Sequence, residues 1–407
     1  MVKYSTSNNK NRLFLSAFGM ILFAAGCITP FEPEYHKTDE LLVVDGSFIK
    51  GQETQVIVIS KISPITQREF KPVENCEVKV TDDSGNEFAF SEESPGKYVA
   101  TINDELIQYD ALYKLVFSTP DGNMYESEYQ RMLQTEPVDS VYAIKEYHYS
   151  HDLENESIYG MQFYFDLDVS DSASKYYRWQ IEETFEINAK EDIWGVYDGN
   201  TIETLNIENL KVCWRTQLIT GLYSASTVGL SKNRIRKIPA HFKLDESDDL
   251  KIKYCATVYQ YALNEDAYNY WEQKRAELYE SGGIYTRQPD QPRSNIFNVN
   301  KPDEQVRGFF WASSRMAKHL FLENPFHKVL HFPYFCKYFG MYSESNDLSE
   351  LKENLLNYIH SFEDELPDPP IYITRNFTNF DVIVTPWCAD CRKIRIGNTT
   401  KRPDFWE

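Results

Sequence analysis

The chain has 407 residues and carries 42 Lys+Arg against 62 Asp+Glu, a formal net charge of -20. So acidic a chain is excluded from holding nucleic acid by phosphate neutralisation, and no basic run marks it for anionic headgroups. Aromatic residues make up 15% of it, which suits sheets whose faces are half wetted.

Lys3, Lys10 and Arg12 form a positive start, and Leu13 to Ala25 is apolar apart from Ser16 and Gly19. Ala24-Ala25-Gly26-Cys27 then closes the run with small residues. This is the grammar of a lipoprotein signal peptide over residues 1–26, with Cys27 as the lipidated residue. The apolar run of 13 residues is shorter than the roughly 20 a spanning helix needs. Removing residues 1–26 deletes three positive charges and no acidic ones, taking the formal charge from -20 to -23. Membrane attachment is therefore expected through the lipid at Cys27, where several acyl chains give stable anchoring. Residues 27–40, with Pro30 and Pro33, read as an extended tether. Glu32 and Glu34 within it are compatible with export to the cell surface.

The remaining chain exceeds what one hydrophobic core usually serves, so two domains are expected. Leu41–Phe48, Thr54–Ser60, Cys76–Thr81, Glu87–Phe90, Lys97–Ile102, Leu112–Phe117 and Met124–Tyr129 read as short strands. Asp82-Asp83-Ser84-Gly85-Asn86, Pro95-Gly96 and Pro120-Asp121-Gly122 supply turns between them. That spacing predicts an immunoglobulin-like or carboxypeptidase-regulatory-like β-sandwich over 41–135. Thr135 to Ser140 reads as a linker. Residues 137–407 read as a larger β-rich domain with about two helices. Gly160–Val169, Tyr176–Ile187, Val212–Ile219 and Leu250–Tyr261 continue the strand pattern. Asn264 is placed to cap a helix over Glu265–Tyr279, with Tyr268, Trp271, Arg275 and Leu278 on one face. Asp347 and Glu350 have capping-box spacing for a second helix, with Leu348, Leu351, Leu355, Ile359 and Phe362 as its stripe.

Six cysteines follow Cys27, an even number in a chain expected to be exported, so disulfides are expected. Cys213, Cys255, Cys336, Cys388 and Cys391 are the candidates, whereas Cys76 sits alone in its domain. Cys388-x-x-Cys391 is the sharpest local motif. A redox role wants a helix N-terminus, but Pro386-Trp387 precedes the pair and Arg392–Ile396 alternates like a strand. A zinc site from Cys336, Cys388, Cys391 and one of His327 or His331 is conceivable. A disulfide-stapled corner is the stronger reading. The two histidines lie in an aromatic run and are expected to be packed. No nucleophile elbow, His-Glu-x-x-His or phosphate-binding glycine loop appears in the sequence. Glu182-Glu183 and Asp248-Asp249 read as solvated charge. All 7 Trp residues follow residue 136, which suits core packing or an aromatic binding platform.

Several stretches together resemble a family of Bacteroidetes lipoproteins, the domain-of-unknown-function family numbered 4249. They are Leu42-Val43-Val44-Asp45-Gly46, the Thr81–Asn86 turn, Tyr176-Tyr177-Arg178-Trp179, Tyr270-Trp271, Ser294–Val299 and Val306–Phe310. Cys388–Arg392 and Pro403-Asp404-Phe405-Trp406 complete the series. Ser294 stands where the family pattern has Gly, and Arg307 where it is apolar. The resemblance implies an accessory of TonB-dependent outer-membrane receptors, with no catalytic residues to carry over. The expectation is thus a non-catalytic, lipid-anchored outer-membrane protein that binds such a receptor or its cargo. It needs no cofactor and no metal, and its ligand is left unspecified. An envelope hydrolase with a scattered site and an envelope assembly factor are the alternatives.

Overall fold

The computed structural model describes residues 41–62, 70–149, 157–170, 174–204, 208–279, 292–329, 336–342, 347–362, 365–366, 368–375 and 381–406. The signal peptide, Cys27, the 27–40 tether and His331 lie outside these residues.

The protein is mainly β. The expected strands form close to their expected bounds: β1 (Leu42–Lys50), β2 (Thr54–Lys61), β4 (Glu77–Asp82), β5 (Glu87–Ser94), β6 (Lys97–Thr101), β7 (Leu112–Ser118) and β8 (Met124–Ser127). Two short pieces, β3 (Lys71–Pro72) and β9 (Gln130–Arg131), join their edges. Alternation drives this part. In β4, Val78 and Val80 point inward while Glu77 and Lys79 point out. Ile57, Ile59, Val80, Leu115 and Tyr113 meet in one dry core, each aliphatic side chain contributing about 1.5–3 kcal/mol by leaving water. Asp82 shapes the β4–β5 turn by accepting from the Ser84 and Asn86 amides at 3.0 and 2.8 Å, an Asx turn in chemistry.

Beyond residue 136 run β10 (Ser140–Tyr149), β11 (Ser157–Asp168), β12 (Tyr176–Asn188), β13 (Ile193–Tyr197), β14 (Ile202–Thr204), β15 (Val212–Leu218) and β16 (Tyr223–Ser226). They are followed by β17 (Arg234–Leu244), β18 (Lys253–Leu263), β19 (Ile296–Asn298) and the 18-residue β20 (Val306–Glu323). A second sandwich packs β12 and β18 against the β10-β11-β17 sheet. Phe165, Leu167, Trp179, Ile181 and Val258 fill it at one end and Phe163, Phe185 and Tyr254 at the other. A five-stranded sheet built from β13, β14, β21 (Tyr338–Tyr342), β22 (Ile371–Arg375) and β23 (Asp381–Val384) completes the chain.

The sheet is continuous across the boundary expected between the two domains. The principal sheet runs in the order β15-β12-β18-β20-β1-β2-β6, and β1 lies parallel to β20 from Leu42↔Val306 to Lys50↔Ser314. Leu42–Glu407 accordingly forms one compact unit. The stretch expected as a linker is tied in as well. Thr135 is buried; its amide donates to Ser314 Oγ at 2.8 Å, and its hydroxyl donates to Ser314 O at 2.6 Å and accepts from the Ala262 amide at 2.8 Å.

Both expected helices form. In α1 (Glu265–Tyr279), Asn264 Oδ1 accepts from the Ala267 amide at 2.8 Å, the expected cap. The buried face differs from the expected stripe: Ala267 and Tyr270 join Tyr268 and Trp271 against the sheet, whereas Leu278 is exposed. In α2 (Leu348–Ser361), Asp347 accepts from the Ser349 amide at 2.8 Å, and Leu351, Leu355 and Ile359 pack on Ile371, Ile373 and Ile383. Phe362, expected in that stripe, is exposed.

Candidate binding recess

Strand β12 presents Tyr177 and Trp179 to the second core, each 1% exposed. Period-two alternation sends Tyr176 and Arg178 to the opposite face, where α1 covers the sheet. Arg178 is registered with Tyr261 of β18. Its guanidinium carbon lies 4.1 Å from the Trp271 ring centroid, 5.4 Å from Trp311 and 5.7 Å from Tyr261. The rings support one another edge to face, Trp271 on Trp311 at 6.1 Å and Tyr261 on Trp311 at 5.4 Å. Tyr270 stacks on Phe309 at 4.8 Å and meets Trp271 at 5.5 Å. Cation–π contact of this kind strengthens as water is withdrawn.

Asp45 of β1 faces the same recess. Alternation along β1 buries Leu42, Val44, Gly46 and Phe48 and leaves Asp45 on the other side, with an exposed surface. Burial nevertheless raises the Asp45 carboxyl above the usual carboxylate range, against the smaller pull of Arg178 and Lys274. Burial likewise lowers the Arg178 guanidinium, with Tyr261 and Asp45 opposing it. Asp45 thus keeps an exposed surface while its neighbours withdraw water from the carboxyl. Among the described residues the side chains of Arg178 and Asp45 make no ion pair and no hydrogen bond. Trp271 Nε1 is buried and also has no hydrogen-bond partner. A desolvated guanidinium without a carboxylate is costly, and a ligand anion would relieve that cost.

A second polar cluster is closed. His241 Nε2 lies 2.6 Å from Tyr254 Oη, which donates to Glu183 Oε2 at 2.8 Å. His241 is therefore the donor to the tyrosine oxygen. Lys243 Nζ bridges Glu183 at 2.9 Å and Asp249 at 2.6 Å, and Arg395 reaches Asp249 at 2.9 Å. Glu183, expected as solvated charge, is 1% exposed. Sequence reasoning missed its role because an acidic pair on a strand looks the same whether its partners are water or lysine. This network ties β12, β17 and β18 to the C-terminal segment.

The cysteines are structural. Cys213 is bonded to Cys391 and Cys336 to Cys388. The two cysteines of the C-x-x-C motif thus have different partners, and the conceived zinc set is consumed by bridges. Cys255 belongs to neither bridge, contrary to expectation. It is a buried thiol 3.8 Å from Thr257 Oγ1. Cys76 is buried with its thiol raised by burial. The strand expected over Arg392–Ile396 is replaced by a 3-10 turn at Cys391–Lys393, because Asp390 accepts from the Arg392 amide at 2.9 Å and holds the Arg392 side chain. His327, expected to be packed, is exposed at a left-handed backbone position. Trp179, Trp311 and Trp406 are buried as packing residues, and Trp387 is exposed.

The fold and the recess define a mainly β protein in which two sandwiches share a sheet and an arginine is enclosed by aromatic rings at their junction. The chain belongs to the family described as Domain of unknown function (DUF4249), matched over residues 28–319. No curated protein matches it. The matched stretch contains Asp45, Arg178, Trp271 and Trp311, and it stops short of the disulfide-tied residues 336–391.

Proposed function

We propose that this protein is a lipid-anchored outer-membrane protein, facing the cell surface, that serves a TonB-dependent receptor as a non-catalytic accessory. It holds that receptor's cargo or the receptor itself. The observation that carries the binding reading is Arg178, desolvated, stacked on Trp271 and without an acidic partner among the described residues. A partly exposed guanidinium held over Trp271 is recognition chemistry rather than a nucleophile with its base. The anchoring reading rests on the Leu13–Cys27 sequence, and the receptor on the resemblance of the whole series of motifs.

The test is affinity purification from native outer membranes with mass spectrometry, beside a Cys27→Ala control. Stoichiometric recovery of a TonB-dependent receptor is expected, with the control lost from the membrane fraction. A membrane-bound protein that recovers no receptor overturns the accessory role, and a wild-type chain found soluble overturns the anchor.

A further inference from the structure

Alternation along an antiparallel sheet ordinarily turns polar side chains to water, but part of the outer face of the first sandwich is apolar. The registers carry one row across β5, β4, β7, β8 and β19. Lys79 stands opposite Ala89 and Val116, Val116 opposite Glu126, and Glu126 opposite Phe297. In the next row Glu77 stands opposite Ser118 and Ser118 opposite Met124, while the Val299 amide donates to the Met124 carbonyl at 2.8 Å. Val78, Phe117, Tyr125 and Asn298, which alternate with these residues, are buried on the other side. Met124, Phe297 and Val299 are 43%, 41% and 44% exposed, and half-buried Val116 adjoins them. Val116 and Met124 also line an open hollow of about 670 Å³ together with Glu77, Lys79, Ala89 and Glu92. Single apolar residues on a surface need no explanation, but four grouped beside a hollow mark a contact surface.

Charge selects what covers this face. Its two lysines are taken, Lys79 by Glu87 at 2.5 Å and Lys114 by Glu126 at 2.5 Å. Glu77 has no cation among the described residues, and Glu92 accepts from the Asn75 and Gly96 amides at 2.8 and 2.9 Å without one. The face is thus apolar with surplus negative charge. We propose that it docks a protein partner whose contacting surface is apolar and carries a lysine or arginine opposite Glu77. This rests on the accessory role proposed above, under which that partner is the receptor. Anionic lipid headgroups are repelled by the same carboxylates. A second copy of this chain would set two surfaces of one sign together, since a two-fold interface joins a patch to itself. Burial of Met124, Phe297 and Val299 supplies the affinity, and Glu77 steers the encounter and fixes its register.

The experiment replaces Phe297, Met124 or, as a control, the 79% exposed Tyr149 by the photocrosslinker p-benzoylphenylalanine in the full lipidated chain. Native outer membranes are irradiated, and adducts are mapped by mass spectrometry. Adducts to the co-purifying receptor are expected from positions 297 and 124 and not from 149. Met124→Asp and Phe297→Asp should each cut receptor recovery at least roughly tenfold, the scale of an interface anchor. Both positions are on the surface, and circular dichroism checks that the variants fold. Glu77→Lys should also lower recovery, most strongly at low salt. Recovery unchanged in Met124→Asp and Phe297→Asp overturns the docking face and leaves the accessory role standing. Adducts made only from position 149, or only to a second copy of this chain, do the same. Wild-type protein that recovers no receptor overturns both.

Discussion

Gly308 faces the Val44 carbonyl across the parallel β1–β20 pairing so closely that a Cβ on Gly308 would stand 1.7 Å from that oxygen. Its φ of +99° adds a second barrier to any side chain. The two sandwiches share their sheet at this point, and β1 carries Asp45 one residue beyond Val44.

Gly308→Ala should therefore lower stability by at least about 3 kcal/mol, or prevent folding, because backbone must move on both strands. Gly122→Ala is the control: φ is +84° there too, but nothing lies within 4 Å, so the cost is the left-handed penalty of about 1 kcal/mol. Chemical denaturation of the two variants checks the difference. Equal losses would show that the β1–β20 approach is not tight.

The expected strands of the first sandwich formed because each reads out locally. Val78 and Val80 alternate with charge, and Asp82 to Asn86 carries its own turn chemistry. The join to β20 could not be read so, since Val44 and Gly308 meet only through sequence-distant pairing. The recess was half legible. Asp45, Arg178, Tyr270-Trp271 and Phe309 each sit in a stretch that carried the family resemblance, but their convergence needs the order β12-β18-β20-β1. The cysteines mark the same limit. Spacing suggested a stapled corner, while the partners of Cys388 and Cys391 depend on where Cys213 and Cys336 come to lie.

Asp45→Asn should raise the denaturation midpoint at neutral pH. The folded carboxyl titrates above its unfolded value, so the native state binds more protons in the window above about 3.8. Stability is then lost as pH rises through that window, and the variant escapes the loss. The gap between variant and wild type should be small near pH 3 and wider at pH 7. Destabilisation by Asp45→Asn would mean that the carboxylate has a structural partner.

His241 supplies a pH dependence of the opposite sign. Burial, helped by Lys243, holds its imidazole down to about 3, against 6.5 unfolded. Between those values the unfolded chain binds the extra proton, so stability is full above 6.5 and falls as pH drops toward 3, by at most about 1.4 kcal/mol per unit. His241→Gln keeps a donor for Tyr254 and cannot titrate. Denaturant midpoints from pH 7 to 4 should fall less steeply in the variant; parallel curves would exclude His241 as the source.

Removing Cys213–Cys391 should free the C-terminal segment before the sandwiches melt. The bridge closes a loop of 178 residues in sequence separation, and loss of such a bridge costs about 2–5 kcal/mol. Cys391→Ala should give early proteolytic cuts after residue 390 and faster amide exchange there, with β1 and β20 still protected. Uniform loosening of the whole chain would argue that the segment is part of the central core.

The bridges are nested: Cys336–Cys388 lies within the span enclosed by Cys213–Cys391. During synthesis Cys213 emerges first of the four, and the next thiol to follow it is Cys255, which belongs to neither bridge. Oxidation in order of emergence would therefore join the wrong sulfurs, and neighbouring Cys388 and Cys391 could also close on each other. Correct connectivity has to wait for residues near the carboxyl end to be delivered against β15, so folding must run ahead of oxidation or errors must be reshuffled afterwards, a process of seconds to hours. Rapid oxidation would therefore trap non-native pairs that must be exchanged before Cys213–Cys391 and Cys336–Cys388 are reached.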